Sequence, residues 1–234
     1  MSFQFKQFSI EDEHCAMKIG TDGCLLGAWA DVDGVNNILD IGTGSGVIAL
    51  MLAQRSKAKI DAVEIDNDAF KQASENFGNS QWNDLLHCFH TPIQEYVKTC
   101  QKKYELIVCC PPYFKDSLKA VDKKRNLARH TDSLSFEELL SLATRLLQHN
   151  GRFCTIIPQN IVKKFCDIAL VEGFFPVRIT NVLPKAEAAP LRILLHLERS
   201  RKAVQENIIA ILDKEGKEFT TEYKDLTKEF YLNF

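Results

Sequence analysis

The stretch LDIGTGSGVIAL, residues 39–50, decides the fold of this 234-residue chain. It places Gly42, Gly44 and Gly46 between an apolar β-rich run and an apolar run with helical periodicity. Glycine permits a positive φ and lets a ligand approach the backbone, and the N-terminus of the following helix supplies free N–H groups and a positive dipole end. Asp40 falls at the carboxyl edge of the strand, where open α/β sheets bind ligands. The stretch therefore predicts a strand, a glycine turn and a helix, with a ligand site at the turn.

Strand-like and helix-like patterns alternate along the middle of the chain. The alternation predicts parallel strands with helices on both faces of one sheet. Residues 175–183 and 191–198 instead predict an antiparallel hairpin. We therefore expect an α/β fold with a doubly wound, mostly parallel seven-stranded sheet that ends in this hairpin. It forms one domain of residues 1–234, whose N-terminal segment 1–35 packs on the sheet edge. The predicted parallel strands are 37–42, 60–65, 85–90, 104–110 and 152–158, and the predicted helices are 45–55, 68–77, 135–147 and 160–171.

Composition and charge exclude several classes of protein. Lys plus Arg number 29 and Asp plus Glu number 31, and the net charge of −2 excludes a histone-like or polybasic protein. No apolar run reaches the roughly 20 residues of a membrane span, and residues 1–14 show no secretory signal. The eight cysteines form no Cys-x-x-Cys pair. We expect reduced thiols in a cytoplasmic protein, with no disulfide framework, no metal site and no membrane partner.

Two acidic residues at strand ends favour an adenosine-containing cofactor at the glycine turn. Glu64 ends the second parallel strand, where a carboxylate accepts hydrogen bonds from ribose hydroxyls. Asp40, two residues before the first glycine, suits an ammonium group or hydroxyls better than a pyrophosphate, so a cationic sulfonium donor fits better than NAD. A turn without a ligand is the alternative interpretation. The stretch resembles the first motif of the S-adenosylmethionine-dependent methyltransferases, whose sheet also ends in a hairpin.

The fourth strand ends in the turn VCCPPYF, residues 108–114. Methyltransferases of amino nitrogens carry Asn-Pro-Pro-Tyr or Asp-Pro-Pro-Tyr at this point. The Asn or Asp oxygen and a proline carbonyl hold the protons of a poorly nucleophilic amine, and the aromatic ring stacks on the flat substrate, which contributes ~1–3 kcal/mol per base. We expect Cys110, Pro111, Pro112 and Tyr113 to hold the target amine in this way.

Cys110 departs from that pattern, because a thiol is a weak hydrogen-bond acceptor. Loss of one acceptor tuned to the transition state costs about 10²–10³ in rate, by analogy with an oxyanion-hole donor. Three interpretations stay open: a slow but real enzyme, an enzyme in which backbone groups or a thiolate compensate, and a degenerate site. A further alternative treats Pro-Pro-Tyr as a simple strand-ending turn.

The resemblance to one family extends over nearly the whole chain. Besides LDIGTGSG, it is carried most specifically by MKIGTDGCLLGAWA (17–30) and ARHTDSLS (128–135), and also by the C-terminal FYLNF (230–234). Together these segments resemble the bacterial methyltransferases that modify N6 of the adenine beside the anticodon of valine tRNA. The resemblance implies a tRNA substrate and an S-adenosylmethionine cofactor, bound by Asp40, Gly42, Gly44 and Glu64.

Two further groups are expected to contact the cofactor. Lys18 and Thr21 reach its methionine portion, unless Thr21 and Asp22 only cap the helix that follows. Many methyltransferases place an acidic residue after the third strand, near the cofactor's adenine. This chain has no Asp at that place, so we expect the backbone of Pro92 and Ile93 to serve instead.

A basic loop follows the Cys-Pro-Pro-Tyr turn. Six basic and two acidic residues between positions 115 and 129 give 6 − 2 = +4, on a chain whose total is −2, and RNA phosphates bind such patches. A solvated loop is the alternative, and Arg129 with His130 can instead pin the loop to the sheet. Arg199, Arg201 and Lys202 form a weaker candidate contact. The basic residues of the loop are Lys115, Lys119, Lys123, Lys124, Arg125 and Arg129.

The expected function is methyl transfer to the exocyclic N6 of an adenine in the anticodon loop of valine tRNA. Such an adenine is already single-stranded, so its extrusion costs little. Two rival functions stay open. A glutamine-N5 methyltransferase of release factors uses the same turn, although the basic loop and the ARHTDSLS segment argue against it. A catalytically weakened cofactor- or RNA-binding protein is the other rival, because Cys110 replaces the usual Asn.

Overall fold

The computed structural model describes residues 2–111 and 134–233. Its strands in these ranges are β1 (Ser2–Gln4), β2 (Ser9–Glu11), β3 (Asn37–Ile41), β4 (Lys59–Glu64), β5 (Leu86–His90), β6 (Tyr104–Cys109), β7 (Leu147–Pro158), β8 (Phe175–Lys185), β9 (Arg192–Glu198) and β10 (Gln205–Leu212). Eight of them form one sheet in the order β10-β8-β9-β7-β6-β3-β4-β5, and β1 pairs with β2 separately. Neighbouring strands from β7 to β5 are parallel, β9 is antiparallel to β7 and β8, and β10 is parallel to β8.

Helices cover both faces of the large sheet. They are α1 (Thr21–Trp29), α2 (Val47–Arg55), α3 (Asn67–Gly78), α4 (Ile93–Thr99), α5 (Phe136–Leu146), α6 (Val162–Val171) and α7 (Thr221–Thr227), with a 3-10 turn at Gln159–Ile161. Successive strand residues point to opposite faces, so Ile38 packs with α1 and α2 while Leu39 packs with α4 and α5. No helix in the described ranges is long and apolar enough to cross a membrane.

The predicted α/β fold, a mostly parallel sheet that ends in an antiparallel hairpin, is confirmed with eight strands instead of seven. The sequence does not predict β10, because the first half of this strand, QENI, is exposed and lacks the apolar run of a buried strand. It also does not predict α4 and α7, which have seven residues each and are too short for a clear periodic pattern.

The register of the sheet brings three strand ends together. Ile41, the last residue of β3, pairs with Val63 of β4 on one side and with Cys109 of β6 on the other. Glu64 of β4 pairs with His90 of β5. The chain leaves β3 toward β4 and β5 on one side and returns as β6 on the other. This reversal is the topological switch point at which open α/β sheets bind their ligands.

Candidate active site

The glycine turn between β3 and α2 is open on its outer side. Gly42 and Gly44 have φ values of 71° and 58°, and a Cβ added to either residue would meet nothing within 4 Å. Gly46, with φ 89°, is different, because its added Cβ would lie 2.5 Å from Cε1 of Phe77. The Gly42 N–H donates to the Val63 carbonyl at 2.8 Å. The turn is therefore fixed to β4 and packed below, with room above its first two glycines for a ligand.

Asp40 lies beneath this turn with no exposed surface. Its Oδ2 accepts a hydrogen bond from the Thr43 hydroxyl at 2.6 Å. Its Oδ1 is buried and has no hydrogen-bond partner among the described residues. Burial, together with the nearby charge of Glu64, raises the pKa of Asp40 from 3.8 to about 7. Asp40 thus holds the glycine turn through its hydrogen bond with Thr43. When Asp40 is ionised, this one hydroxyl is the only described side-chain donor to its negative charge.

Glu64 is also buried, and backbone donors surround it. Its Oε2 accepts from the Gly44 N–H at 2.8 Å, and its Oε1 accepts from the N–H groups of Ile65 and Asp66, both at 2.9 Å. Burial raises the pKa of Glu64 above its ordinary value. A carboxylate has about four acceptor positions, so three backbone donors leave room for one more donor. Glu64 ties the glycine turn to the end of β4, and a cation would stabilise it together with Asp40.

The end of β5 supplies the far side of this region. The Thr91 N–H donates to the Glu64 carbonyl at 3.0 Å. Pro92 precedes α4, and Ile93 is its first, buried residue. The N–H of a residue at the first position of a helix, here Ile93, has no acceptor within the helix. It is therefore available for the predicted contact with the cofactor's adenine. Ile65 is 53% exposed between Glu64 and this segment, so it adds an apolar surface that the sequence does not single out.

Cys110 and Pro111 follow β6 directly beside the glycine turn, because Cys109 pairs with Ile41. Cys110 is half-buried, whereas Cys109 is buried and its pKa is raised well above its usual value by that burial. The predicted partners Pro112 and Tyr113 lie outside the described residues. The structure thus brings the two described members of the predicted amine turn to the predicted cofactor turn.

Lys18 and Thr21 lie on the N-terminal side of α1. The Lys18 ammonium donates to the carbonyls of Asp12 and Glu13 at 2.6 and 3.1 Å, so its described contacts are within the N-terminal segment. The alternative interpretation, that Thr21 and Asp22 cap the helix, is wrong. Thr21 is the first helical residue. The N-cap position is occupied by Gly20, and no side chain there accepts a hydrogen bond from the helix. Asp22 instead accepts from Arg192 Nε at 2.8 Å.

The basic residues divide into two groups by position. The weaker candidate group lies near Glu198, the last residue of β9, which pairs with Phe175 at the start of β8. Lys202 forms an ion pair with Glu198 at 2.5 Å, and the Arg201 guanidinium lies 4.8 Å from the centre of the Phe175 ring. This is the edge opposite the glycine turn, so the structure does not bring that group to the site. The six predicted RNA contacts, Lys115, Lys119, Lys123, Lys124, Arg125 and Arg129, lie outside the described residues.

Two residues of the site are not predicted from the sequence. Thr43 is the partner of Asp40, and a hydroxyl three residues after a strand-end carboxylate is the only signal for it. Cys15 is buried, and burial with the charges of Glu64 and Asp12 raises its pKa to about 12. No group of three or more metal-ligating side chains was found in the described ranges.

Comparisons of sequence identify the family. The model of the methyltransferase small domain matches residues 20–175, well over half of the chain. The tRNA1(Val) (adenine(37)-N6)-methyltransferase of Trichodesmium erythraeum is 46% identical over 235 residues, which cover 99% of this chain and 98% of that protein. The chain belongs to this methyltransferase family. Proteins of the same name from Flavobacterium psychrophilum and Parabacteroides distasonis are 43% and 44% identical, over 98% of this chain and 99% and 97% of theirs.

Solved structures with low sequence identity share the fold of this family member. A predicted O-methyltransferase from Agrobacterium tumefaciens superposes with a TM-score of 0.69 at 18% identity, over 89% of this chain and 96% of that one. A glycopeptide N-methyltransferase in complex with S-adenosylmethionine gives a TM-score of 0.57 at 10% identity, over 79% and 90%. The sheet described above therefore has the same fold as the sheets of these two proteins.

Proposed function

We propose that this family member transfers a methyl group from S-adenosylmethionine to the exocyclic N6 of adenine 37 in valine tRNA, and that it acts in the cytoplasm. The observation that carries the proposal is the pairing of Ile41 with Cys109, which puts a glycine turn and a Cys-Pro turn side by side at the switch point. The names of relatives up to 46% identical over nearly the whole chain supply the substrate. They favour tRNA over the glutamine side chain of a release factor.

The turn region fits the cofactor. Space above Gly42 and Gly44 suits close approach of a ligand to the backbone, and two buried carboxylates, Asp40 and Glu64, suit a positively charged one. When bound, S-adenosylmethionine supplies the methyl group. In this proposal Glu64 accepts a hydrogen bond from the ribose, while Asp40 acts through its charge and through Thr43. Lys18, Thr21, Pro92 and Ile93 complete the cofactor-binding set.

The Cys-Pro-Pro-Tyr turn holds the adenine in this proposal. The amine N6 is a weak nucleophile, because its lone pair is delocalised into the ring. The Pro111 carbonyl accepts a hydrogen bond from N6, and Cys110 lies where methyltransferases of amino nitrogens carry a stronger acceptor, Asn or Asp. Pro112 keeps the turn rigid, and Tyr113 stacks on the base. N6 would gain its bond to the methyl carbon as the methyl–sulfur bond breaks, which would leave the neutral thioether S-adenosylhomocysteine, and N6 would lose one of its two protons to water.

The remaining parts of the chain belong to the same unit in this proposal. Residues 1–234 act as one domain, with residues 1–35 against the sheet. The Trp29 indole N–H donates to the hydroxyl of Thr180 in β8 at 3.0 Å. The Lys6 N–H donates to the Phe230 carbonyl at 2.8 Å, so the two ends of the chain are joined.

Methyl transfer to purified tRNA tests the function. The protein is incubated with total tRNA and S-adenosylmethionine that carries a tritiated methyl group, and the tRNA is then digested to nucleosides. We expect the label in N6-methyladenosine from one tRNA species. Label on the glutamine of a release factor supplied in a parallel reaction, and none on tRNA, would support the rival enzyme. Cofactor binding without any transfer would support the weakened binding protein.

Salt dependence tests the RNA contacts of the basic loop. If Lys123, Lys124 and Arg125 bind phosphates, tRNA affinity falls steeply with salt, and each contact contributes a log–log slope of about −0.7 to −0.9. Replacing all three with Gln should flatten the slope by about 2–3 units and leave cofactor affinity unchanged. The matched control replaces three exposed lysines at the opposite sheet edge, Lys57, Lys59 and Lys103, with Gln. Equal slopes in the two triple variants would show that the loop is only solvated.

Cofactor affinity should depend on pH through Asp40. Its pKa of about 7 in the cofactor-free protein means that a cationic ligand must displace a proton at lower pH. We therefore expect S-adenosylmethionine to bind about tenfold more tightly at pH 8 than at pH 6. Calorimetry in buffers of different ionisation enthalpy should show proton release near pH 7. Asp40→Asn should bind more weakly and lose this pH dependence. Asp66→Asn, the control, should keep it.

The same pKa shift predicts how stability depends on pH. The folded protein favours the neutral form of Asp40, so this contribution to stability is complete below pH 3.8 and is lost as the pH rises through about 7. Without cofactor, the melting temperature of the wild type should fall from pH 5 to pH 8 relative to that of Asp40→Asn. A constant difference between the two proteins over that range would contradict the assignment.

A further inference from the structure

Asn76, on the buried side of α3, joins two segments that are distant in sequence. It is 3% exposed. Its Nδ2 donates to the Ser45 carbonyl of the glycine turn and to the Glu11 carbonyl at the end of β2, both at 2.8 Å. Its Oδ1 accepts from the Glu11 N–H at 3.0 Å. A single amide thus holds the glycine turn and the N-terminal chain in one fixed arrangement.

The N-terminal segment 9–19 that Asn76 holds also contacts α3 at a second point. Gln72, one turn before Asn76 on the same face of α3, is 3% exposed, and its Oε1 lies 3.5 Å from the His14 N–H. The Asp12 carboxylate accepts from the Ile19 N–H at 3.0 Å and closes the intervening loop. Cys15, within this loop, is buried.

These contacts form a continuous chain of hydrogen bonds. Glu64 accepts from Gly44 of the glycine turn, Ser45 of that turn accepts from Asn76, and Asn76 bonds to Glu11 of the segment 9–19. A ligand that orders the turn therefore acts on the segment through Asn76. Such a linkage is reciprocal, because order in either segment favours order in the other.

We propose that Asn76 is a positioning residue for cofactor binding, which couples the segment 9–19 to the glycine turn so that the two are ordered together. The proposal rests on the proposed function, because it takes the glycine turn as the site of S-adenosylmethionine. It assigns Asn76 no contact with the cofactor itself. Its effect is on the affinity for the cofactor and on the order of the segment, and not on the transfer step.

Amide hydrogen exchange with and without S-adenosylmethionine tests the coupling. In the wild type, cofactor should protect residues 42–46 and residues 9–19. In Asn76→Ala, the dissociation constant for cofactor should rise about tenfold, within the roughly 5- to 150-fold range of linked sites. At saturating cofactor this variant should still protect residues 42–46 and no longer protect residues 9–19. The Michaelis constant for cofactor should rise, while kcat stays within about twofold.

A stability-matched control separates coupling from general destabilisation. Leu142→Ala removes a buried side chain from α5, on the other face of the sheet. It should lower the melting temperature and leave cofactor affinity and both protected regions unchanged. Asn76→Ser is a milder variant for use if Asn76→Ala does not fold, with the same pattern expected at smaller size.

The outcomes are distinct. Protection of both regions in Asn76→Ala or Asn76→Ser, with wild-type affinity, would overturn the proposal. Wild-type protein that binds cofactor but shows no protection of residues 9–19 would overturn it and leave the proposed function standing. Wild-type protein that binds no cofactor would overturn the proposed function and this inference with it.

Discussion

Replacing Cys110 with asparagine should raise the rate constant of methyl transfer by about 10²-fold, with little change in tRNA affinity. An amide oxygen is a far stronger acceptor than a thiol, and the position is already set by β6, whose Cys109 pairs with Ile41. The turn that follows is fixed by Pro111. The added hydrogen bond therefore strengthens as charge develops on the amine, so it acts in the transition state. Single-turnover rates at saturating tRNA measure it directly.

Cys110→Ala distinguishes the remaining interpretations of this position. If the thiol contributes nothing, the alanine variant should match the wild type. If a thiolate replaces the usual amide, the variant should be far slower, and the wild-type rate should rise with pH through a thiol titration. Burial raises the pKa of Cys109 well above its usual value and raises those of Cys15 and Cys88 to about 12, so these three thiols stay protonated through an ordinary thiol titration.

Cys109→Ala is the matched control, one residue earlier on the other face of the sheet. It removes a buried thiol from the core and should leave the rate unchanged in protein that remains folded. If Cys110→Asn abolishes transfer in folded protein that binds cofactor, then Cys110 is not a weakened form of the asparagine in related enzymes. The adenine-amine mechanism would then be wrong for this chain.

The sequence predicts the parts of the site that depend on local pattern. Asp40, the glycines and Glu64 are recognisable because strand ends and a glycine turn each carry a signal within a few residues. Parallel topology predicts that the Cys110 turn and the glycine turn lie at the same edge of the sheet, whereas their direct contact depends on the pairing of β3 with β6, which the sequence does not predict. The expectations from local pattern need no knowledge of side-chain packing, which is why the mostly parallel sheet and its terminal hairpin agree with the structure.

The rest of the site depends on contacts between residues far apart in sequence. Asn76 bonds to Glu11 and Ser45, 65 and 31 residues away, and nothing in its own surroundings in the sequence distinguishes it from other helix residues. The polar half of β10 becomes a strand only because β8 offers it an edge, which is tertiary context overriding a weak local preference.

The second large effect is expected on cofactor affinity, when Glu64 is replaced with glutamine, a side chain of nearly the same shape. Glu64→Gln should raise the dissociation constant for S-adenosylmethionine by about 10- to 100-fold, since hydrogen bonds to a charged group contribute roughly 1.5–3 kcal/mol. From the sequence alone, a strand-end carboxylate contributes little to the core, so Glu64→Ala would seem the simpler variant. The structure changes this choice, because the carboxylate accepts from three backbone N–H groups. Alanine would leave all three of these part-buried donors without this partner, at up to about 1–3 kcal/mol each, and so would confuse unfolding with loss of binding. Glutamine keeps one acceptor oxygen for them, although its amide nitrogen cannot accept.

Asp66→Asn is the matched control for Glu64→Gln, because it makes the same carboxylate-to-amide change two residues later. Asp66 Oδ1 accepts from the N–H groups of Asp68 and Ala69 as the cap of α3, and asparagine caps a helix about as well as aspartate. Its cofactor affinity and melting temperature should therefore match those of the wild type. Calorimetry with S-adenosylmethionine on both variants, beside their melting curves, separates the two roles of Glu64. Wild-type affinity in folded Glu64→Gln would mean that this carboxylate only braces the glycine turn, and the ribose contact would have to be assigned to another group.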